Sequence, residues 1–155
     1  MTPRLLPRHE LLELLGRWYR AWDRHDLEAV MSLFCDDVVF ENWTGARVQG
    51  KQALHRAWSA WFAGRDFRFE EEETFVDAAA QKALYRWNLH WPCRESGREG
   101  LAEVRRGVDV LHFSGGLICR KLTYSKTTLE IGGERVRLAG PSPDGADGSP
   151  KRRNR

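Results

Sequence analysis

The chain has 155 residues, 41% of them hydrophobic and 30% charged, with a net charge of +3. That length suits one domain with its own core. Two of the excess charges fall in residues 140–155, where Lys151, Arg152, Arg153 and Arg155 outweigh Asp144 and Asp147; the near-neutral body excludes the clustered basic face of a nucleic-acid binder.

In chain order, the first expected element is a helix over 8–24. Leu11, Leu12, Leu15, Trp18, Tyr19 and Trp22 recur there at helical spacing. Asp26 is an N-cap for a second helix over 27–34, burying Leu27, Val30, Met31 and Phe34, and Asp36-Asp37 stop it. A short strand over 38–41 follows, then a Thr44-Gly45 turn, and residues 47–50 lead into a third helix over about 51–63. Its apolar face is Leu54, Ala57, Trp58, Trp61 and Phe62.

From Phe67 the period changes to two. Phe67, Phe69 and Phe75 alternate with Arg68, Glu70 and Thr74. The next strand carries Ala83, Tyr85, Trp87, Leu89 and Trp91 on one face and Arg86, Asn88 and His90 on the other. Pro92 closes it, and 96–100 is a polar loop. Two long strands, 102–113 and 117–130, are joined by a Ser114-Gly115-Gly116 hairpin turn. Val136 and Leu138 mark a weak final strand. Residues 1–139 read as the domain and 140–155, with no apolar anchor, as a disordered basic tail.

Helices gathered first and strands last indicate an α+β fold. Three N-terminal helices would pack on a strongly curved, mostly antiparallel sheet and enclose a cone. No apolar run approaches the ~20 residues of a membrane span. Cys35, Cys93 and Cys119 form no CxxC pair and are expected as free thiols; with no visible leader, a cytoplasmic protein is expected.

The leading candidate for chemistry is Asp109. It shares a strand face with Leu111 and Phe113, and a charge on an apolar face is costly unless paired, protonated or used. It serves either as a catalytic acid or base or as half of a structural ion pair with Arg120 or Lys121. Glu41 and Asn42 sit where the first strand opens into a turn; Glu41 acts as a base opposite Asp109 or faces solvent at a strand end. Seven tryptophans either fill a core or wall a cavity. Trp18, Trp58, Tyr85, Trp87, Leu89 and Trp91 are candidate lining residues, with Leu111 beside Asp109 and Trp43 as a lid. Such walls suit a flat apolar small molecule. The Glu70–Glu73 run reads as solvated, and the histidines lack ligand spacing, so no metal and no cofactor is expected.

Trp18-Tyr19, Asp26-Leu27, Leu33-Phe34-Cys35-Asp36-Asp37-Val38-Val39-Phe40-Glu41, Gly50-Lys51-Gln52-Ala53-Leu54 and Gly107-Val108-Asp109-Val110 stand in an order and spacing that resembles the nuclear transport factor 2-like superfamily. Within it the SnoaL-like, ketosteroid-isomerase-like branch is the most similar. The resemblance covers about residues 8–130. It implies a cystatin-like α+β cone, a cavity between helices and sheet, and homodimers formed through the outer sheet face. It also implies candidate roles. Asp109 matches the isomerases' protonated aspartic acid, whereas Asn42 stands at their base position. Trp18 stands at their oxyanion tyrosine, with Tyr19 adjacent as an assisting group, and Trp58 replaces a supporting tyrosine. Gly107 stands where the epoxide hydrolases of this scaffold carry an arginine. The expected function is therefore small-molecule binding, with cofactor-free proton transfer by Asp109 assisted by Glu41 or Tyr19. A non-catalytic binding module of the same fold is the alternative.

Overall fold

In a computed structural model that describes residues 2–138, the element order is α1 (Arg8–Asp23), α2 (Leu27–Met31), β1 (Phe34–Glu41), β2 (Arg47–Gln49), α3 (Lys51–Gly64), β3 (Arg68–Asp77), β4 (Lys82–Pro92), β5 (Ala102–Ser114), β6 (Leu117–Ser125), β7 (Thr128–Ile131) and β8 (Glu134–Arg137). The tail expected at 140–155 lies outside the described residues. One sheet runs β2-β1-β6-β5-β4-β3, with β7 on β5 and β8 on β7. Every pairing is antiparallel except β1 with β6. The sheet curls round α1 and α3 to give an α+β cone.

The helices bury one stripe each. Leu11, Leu14, Leu15, Trp18, Ala21 and Trp22 face inward from α1; Leu14 takes the core place expected of Leu12, which is 43% exposed. His25, in the left-handed region at φ 52°, turns the chain out of α1. Asp26 caps α2 by accepting from Ala29 N–H at 3.0 Å. Leu54, Trp58 and Phe62 are the buried stripe of α3.

Three local irregularities separate the structure from simple periodicity. The second helix ends at Met31, and the chain is already strand at Phe34, because Leu33 C=O accepts Ile118 N–H of β6. Residues 47–49 form β2 beside β1 rather than a lead-in to the helix. The long strand expected over 117–130 is broken between β6 and β7 after Ser125, where Lys126 N–H bonds Arg106 C=O.

Bulges also reassign faces. In β3 the register slips between Glu71 and Glu73, so Phe75 leaves the face shared by Phe67 and Phe69 and is 60% exposed. Glu72 and Glu73 pair with Arg86, and Glu70 pairs with His90. No helix among the described residues is long and apolar enough to cross a membrane.

Candidate functional site

Strand register aligns three inward side chains. Tyr85 on β4 lies opposite Asp109 on β5, and Asp109 lies opposite Thr123 on β6. One inward step back along β6 is Lys121, opposite Leu111 on one side and Phe40 on the other. Asp109, Lys121 and Thr123 are 3%, 6% and 5% exposed. Lys121 Nζ donates to Asp109 Oδ1 at 3.0 Å and to Thr123 Oγ1 at 2.8 Å. The Thr123 hydroxyl donates to the same Oδ1 at 2.6 Å. Asp109 Oδ2 accepts no hydrogen bond among the described residues.

This cluster forms one wall of a cavity of about 200 Å³. Aromatic rings make most of the rest: Trp18 and Trp22 from α1, Trp58 and Trp61 from α3, and Trp87 and Trp91 from β4. Phe40, Phe69 and Trp43 complete it, with Asn42, Ala57 and Arg94. Cavities of roughly 150 Å³ already admit benzene, so this one has room for a small ring system. The indole N–H groups of Trp18, Trp22, Trp61 and Trp87 are buried with no partner among the described residues. A buried donor left unmatched costs about 1–3 kcal/mol, which favours a guest able to accept a hydrogen bond.

The electrostatics follow from burial. Desolvation holds the Lys121 ammonium below the ordinary lysine range, against the pull of Asp109. The Phe40 and Trp58 rings lie 5.0 and 5.9 Å from its Nζ and attract the cationic form. Burial and then the Asp109 charge push Tyr85 well above the usual phenol range, so it remains a neutral donor. Burial likewise pushes Tyr19 up to about 12.

One glycine makes this wall possible. A Cβ on Gly107 would stand 2.4 Å from the Trp87 ring and 2.5 Å from Tyr124 C=O. Only a bare backbone lets Trp87 lie across β5 at that point. Near Trp43 and Trp91 a second buried ion pair fixes the rings. Glu103 accepts the Trp91 indole N–H. Arg105 Nε is 3.4 Å from the same carboxylate, and its guanidinium lies 4.5 Å over Trp43 and 5.7 Å from Trp91.

The residues singled out from the sequence separate into three groups. Asp109, Trp18, Asn42, Trp43, Trp58, Tyr85, Trp87 and Trp91 all line the cavity. Leu89 and Leu111 are fully buried in the core without lining it. Glu41 and Tyr19 are not at the cavity wall. Glu41 alternates outward from Phe40 and pairs with Arg47 at 3.2 Å across β1–β2. Tyr19 hydrogen-bonds Thr74 at 2.5 Å, Thr74 donates to Glu71 at 2.5 Å, and the Tyr19 ring lies 4.9 Å from Tyr85. Of the two basic partners considered for Asp109, Lys121 is the one that pairs.

Lys121 and Thr123 as cavity residues escaped the sequence. Ile118 faces inward, so strict alternation would turn Lys121 outward. A register slip at Cys119 reverses the parity. Trp22, Trp61 and Phe69 were legible as buried positions, but nothing in spacing alone separates a ring that lines a cavity from one that fills a core. Among the described residues no group of three His, Cys, Asp or Glu side chains could hold a metal ion.

An α+β cone with a cavity between its helices and its sheet is the architecture of the nuclear transport factor 2-like proteins. The chain belongs to the SnoaL-like domain family, whose model matches residues 15–121. No curated protein matches it. Among solved structures, a nuclear transport factor 2-like protein of unknown function from Mesorhizobium loti is 29% identical, with a TM-score of 0.64 over 81% of this chain and 99% of its own. A Mycobacterium tuberculosis protein solved with estradiol-17β-hemisuccinate is 26% identical, with a TM-score of 0.61 over 74% of this chain and 92% of its own. An epoxide hydrolase from Mycobacterium tuberculosis is 18% identical, with a TM-score of 0.62 over 76% and 84%, and shows the fold alone.

Proposed function

We propose that the chain binds a flat, apolar, carbonyl-bearing small molecule and catalyses cofactor-free proton transfer on it, with Asp109 as the base. The observation that carries this reading is the Asp109 carboxylate, buried in the wall of an aromatic cavity with Oδ1 engaged by Lys121 and Thr123 and Oδ2 unengaged. The free oxygen takes a proton from the carbon beside the carbonyl. Lys121 and the neutral Tyr85 hydroxyl stabilise the oxygen on which negative charge develops. The aromatic walls exclude water and strengthen both effects. Glu41 has no part in it, and Tyr19 contributes only by packing on Tyr85. The steroid ester held by the Mycobacterium tuberculosis relative supports a flat apolar guest.

Deuterium exchange tests this. The α-protons of 2-tetralone are expected to exchange with D₂O faster with the protein than with its Asp109→Asn variant. Equal rates would remove the catalytic claim. Asn42, at the position of the usual base, favours the second reading, a binding module without turnover. That reading predicts a thermal shift with 2-tetralone and no exchange.

The same proposal includes a homodimer through the outer sheet face, where Phe75, Leu84 and Tyr124 are 60%, 38% and 53% exposed. A monomer in sedimentation at micromolar concentration would refute it. Three free cysteines support a reducing, cytoplasmic setting.

A further inference from the structure

Lys121 is more than a counter-ion in this geometry. A lysine on the inner face of a sheet is rare unless paired, and a single carboxylate and one hydroxyl would satisfy it anywhere in a core. Here the amine stands at the wall of a cavity large enough for a ring system. It has a proton acceptor 3.0 Å away at Asp109 and a hydroxyl at 2.8 Å. Among the described residues no other lysine lines that cavity.

We propose that Lys121 is a carbonyl-reactive amine, which forms an imine with aldehydes and ketones that enter the cavity. The proposal shares the ligand class of the reading above but does not depend on turnover by Asp109.

The step balances without any co-reactant. The Lys121 ammonium passes a proton to Asp109 Oδ1 along their hydrogen bond. The freed nitrogen lone pair attacks the carbonyl carbon, and the C=O electron pair moves onto oxygen. Asp109 returns its proton to that oxygen. The nitrogen of this adduct is cationic and still carries two protons. One passes by way of Asp109 to the hydroxyl, and the lone pair so freed expels water. A protonated C=N bond to Lys121 remains, with two of the three ammonium protons in the water and one on the nitrogen. Thr123, which donates to Asp109 and accepts from Lys121, holds both partners in place through the exchange. Desolvation lowers the cost of the neutral amine at this position, because the ammonium is the form burial penalises. The ring of Phe40 opposes this by favouring the cation, so the Asp109 acceptor is needed to complete the transfer.

Reductive trapping is the test, with 2-naphthaldehyde and sodium cyanoborohydride at neutral pH on the full-length chain, followed by peptide mapping. The trapped side chain gains the mass of the aldehyde less one oxygen atom. Label at Lys121 is expected to exceed that at Lys51, Lys82 or Lys126 several-fold, because among the described residues only Lys121 lines the cavity that takes the ring. It is expected to fall at least several-fold in Asp109→Asn, which keeps the side-chain volume but cannot take the proton. Label spread over Lys51, Lys82 and Lys126 with Lys121 unmodified would overturn the proposal. Lys121→Arg, which keeps the cation but cannot form an imine, should lose the label at that position, and mapping the wild-type chain keeps the test decisive even if this variant fails to fold. The aldehyde has no α-proton, so the two readings fail separately. Labelled Lys121 without deuterium exchange removes only proton transfer, and exchange without label removes only imine formation.

Discussion

The inner face of β5 carries two buried ion pairs, and they are built for different ends. Glu103 and Arg105 are 2% and 4% exposed. Glu103 also holds the Trp91 indole, and Arg105 lies beneath Trp43. Neither lines the cavity. Six residues along the strand, roughly 20 Å away, Asp109 and Lys121 are as well buried, yet both face the cavity and one carboxylate oxygen stays free. Burial is therefore alike in the two regions, although Arg105 Nε makes no hydrogen bond to Glu103 while Lys121 Nζ donates to Asp109, and what each pair faces separates structural from chemical use. A buried ion pair is by itself weak support for stability, since removal of both charges is often neutral.

The comparison breaks first at Glu103. Glu103→Leu strands the Arg105 guanidinium and the Trp91 indole in the interior, and a loss of about 3–5 kcal/mol in urea unfolding is expected. Lys121→Met should cost less, about 1–3 kcal/mol, because Asp109 keeps its Thr123 donor. The double variant Asp109→Leu/Lys121→Met sharpens the contrast: stability within about 1 kcal/mol of wild type, with deuterium exchange abolished. A double variant as unstable as Glu103→Leu would show that the cavity pair is structural after all.

The pH dependence of the two regions should differ as well. Burial lowers the Lys121 value below the ordinary 10.5. Between that lowered value and 10.5, the unfolded chain binds a proton that the folded chain has released. Stability should therefore rise with pH across this window and level off above it. Lys121→Met should remove that rise, whereas Glu103→Leu should leave it intact. Urea melts at several pH values between neutrality and 10.5 provide the measurement, and a wild-type curve parallel to that of Lys121→Met would contradict the buried-amine account.

Gly107→Ala comes next in size. Its Cβ meets the Trp87 ring and Tyr124 C=O at 2.4 and 2.5 Å, so about 1–3 kcal/mol should be lost by overpacking. The displaced ring should also narrow the cavity between the two ion pairs. A weaker thermal shift with 2-tetralone would accompany the fall in melting temperature. Unchanged stability would mean that Trp87 has another place to go.

The sequence made most of this fold readable because its helices and strands are long and strongly periodic. α1, α3, β4 and β5 lie within a residue or two of where the apolar spacing sets them. Asp109 was legible for the same reason, as a charge out of place on an apolar face. What escaped depends on single-residue slips. One bulge in β3 turns Phe75 out to solvent, and one slip at Cys119 turns Lys121 in. Period-two reasoning has no means of placing such slips, since the inserted residue carries no mark of its own. At Glu41 the two alternatives, base or solvent-facing strand end, turn on alternation instead. Strict alternation holds in β1 there, and with Phe40 inward its carboxylate must face Arg47.

The smallest effect sought lies far from either ion pair and tests whether the helical layer is independent of the cavity. Asp26 accepts Ala29 N–H at the start of α2, a helix of only five residues. Asp26→Ala should cost about 1 kcal/mol, the usual worth of an N-cap. The contacts that fix α2 in place, through Val30 and Met31, lie in the core. The cavity walls come from α1, α3 and the sheet, so labelling of Lys121 by 2-naphthaldehyde should be unchanged in this variant. Reduced labelling together with that small loss of stability would mean that the cavity and the α2 turn move as one unit. The contrast between the two ion pairs would then have to be reread as a property of the whole cone rather than of the two ends of β5.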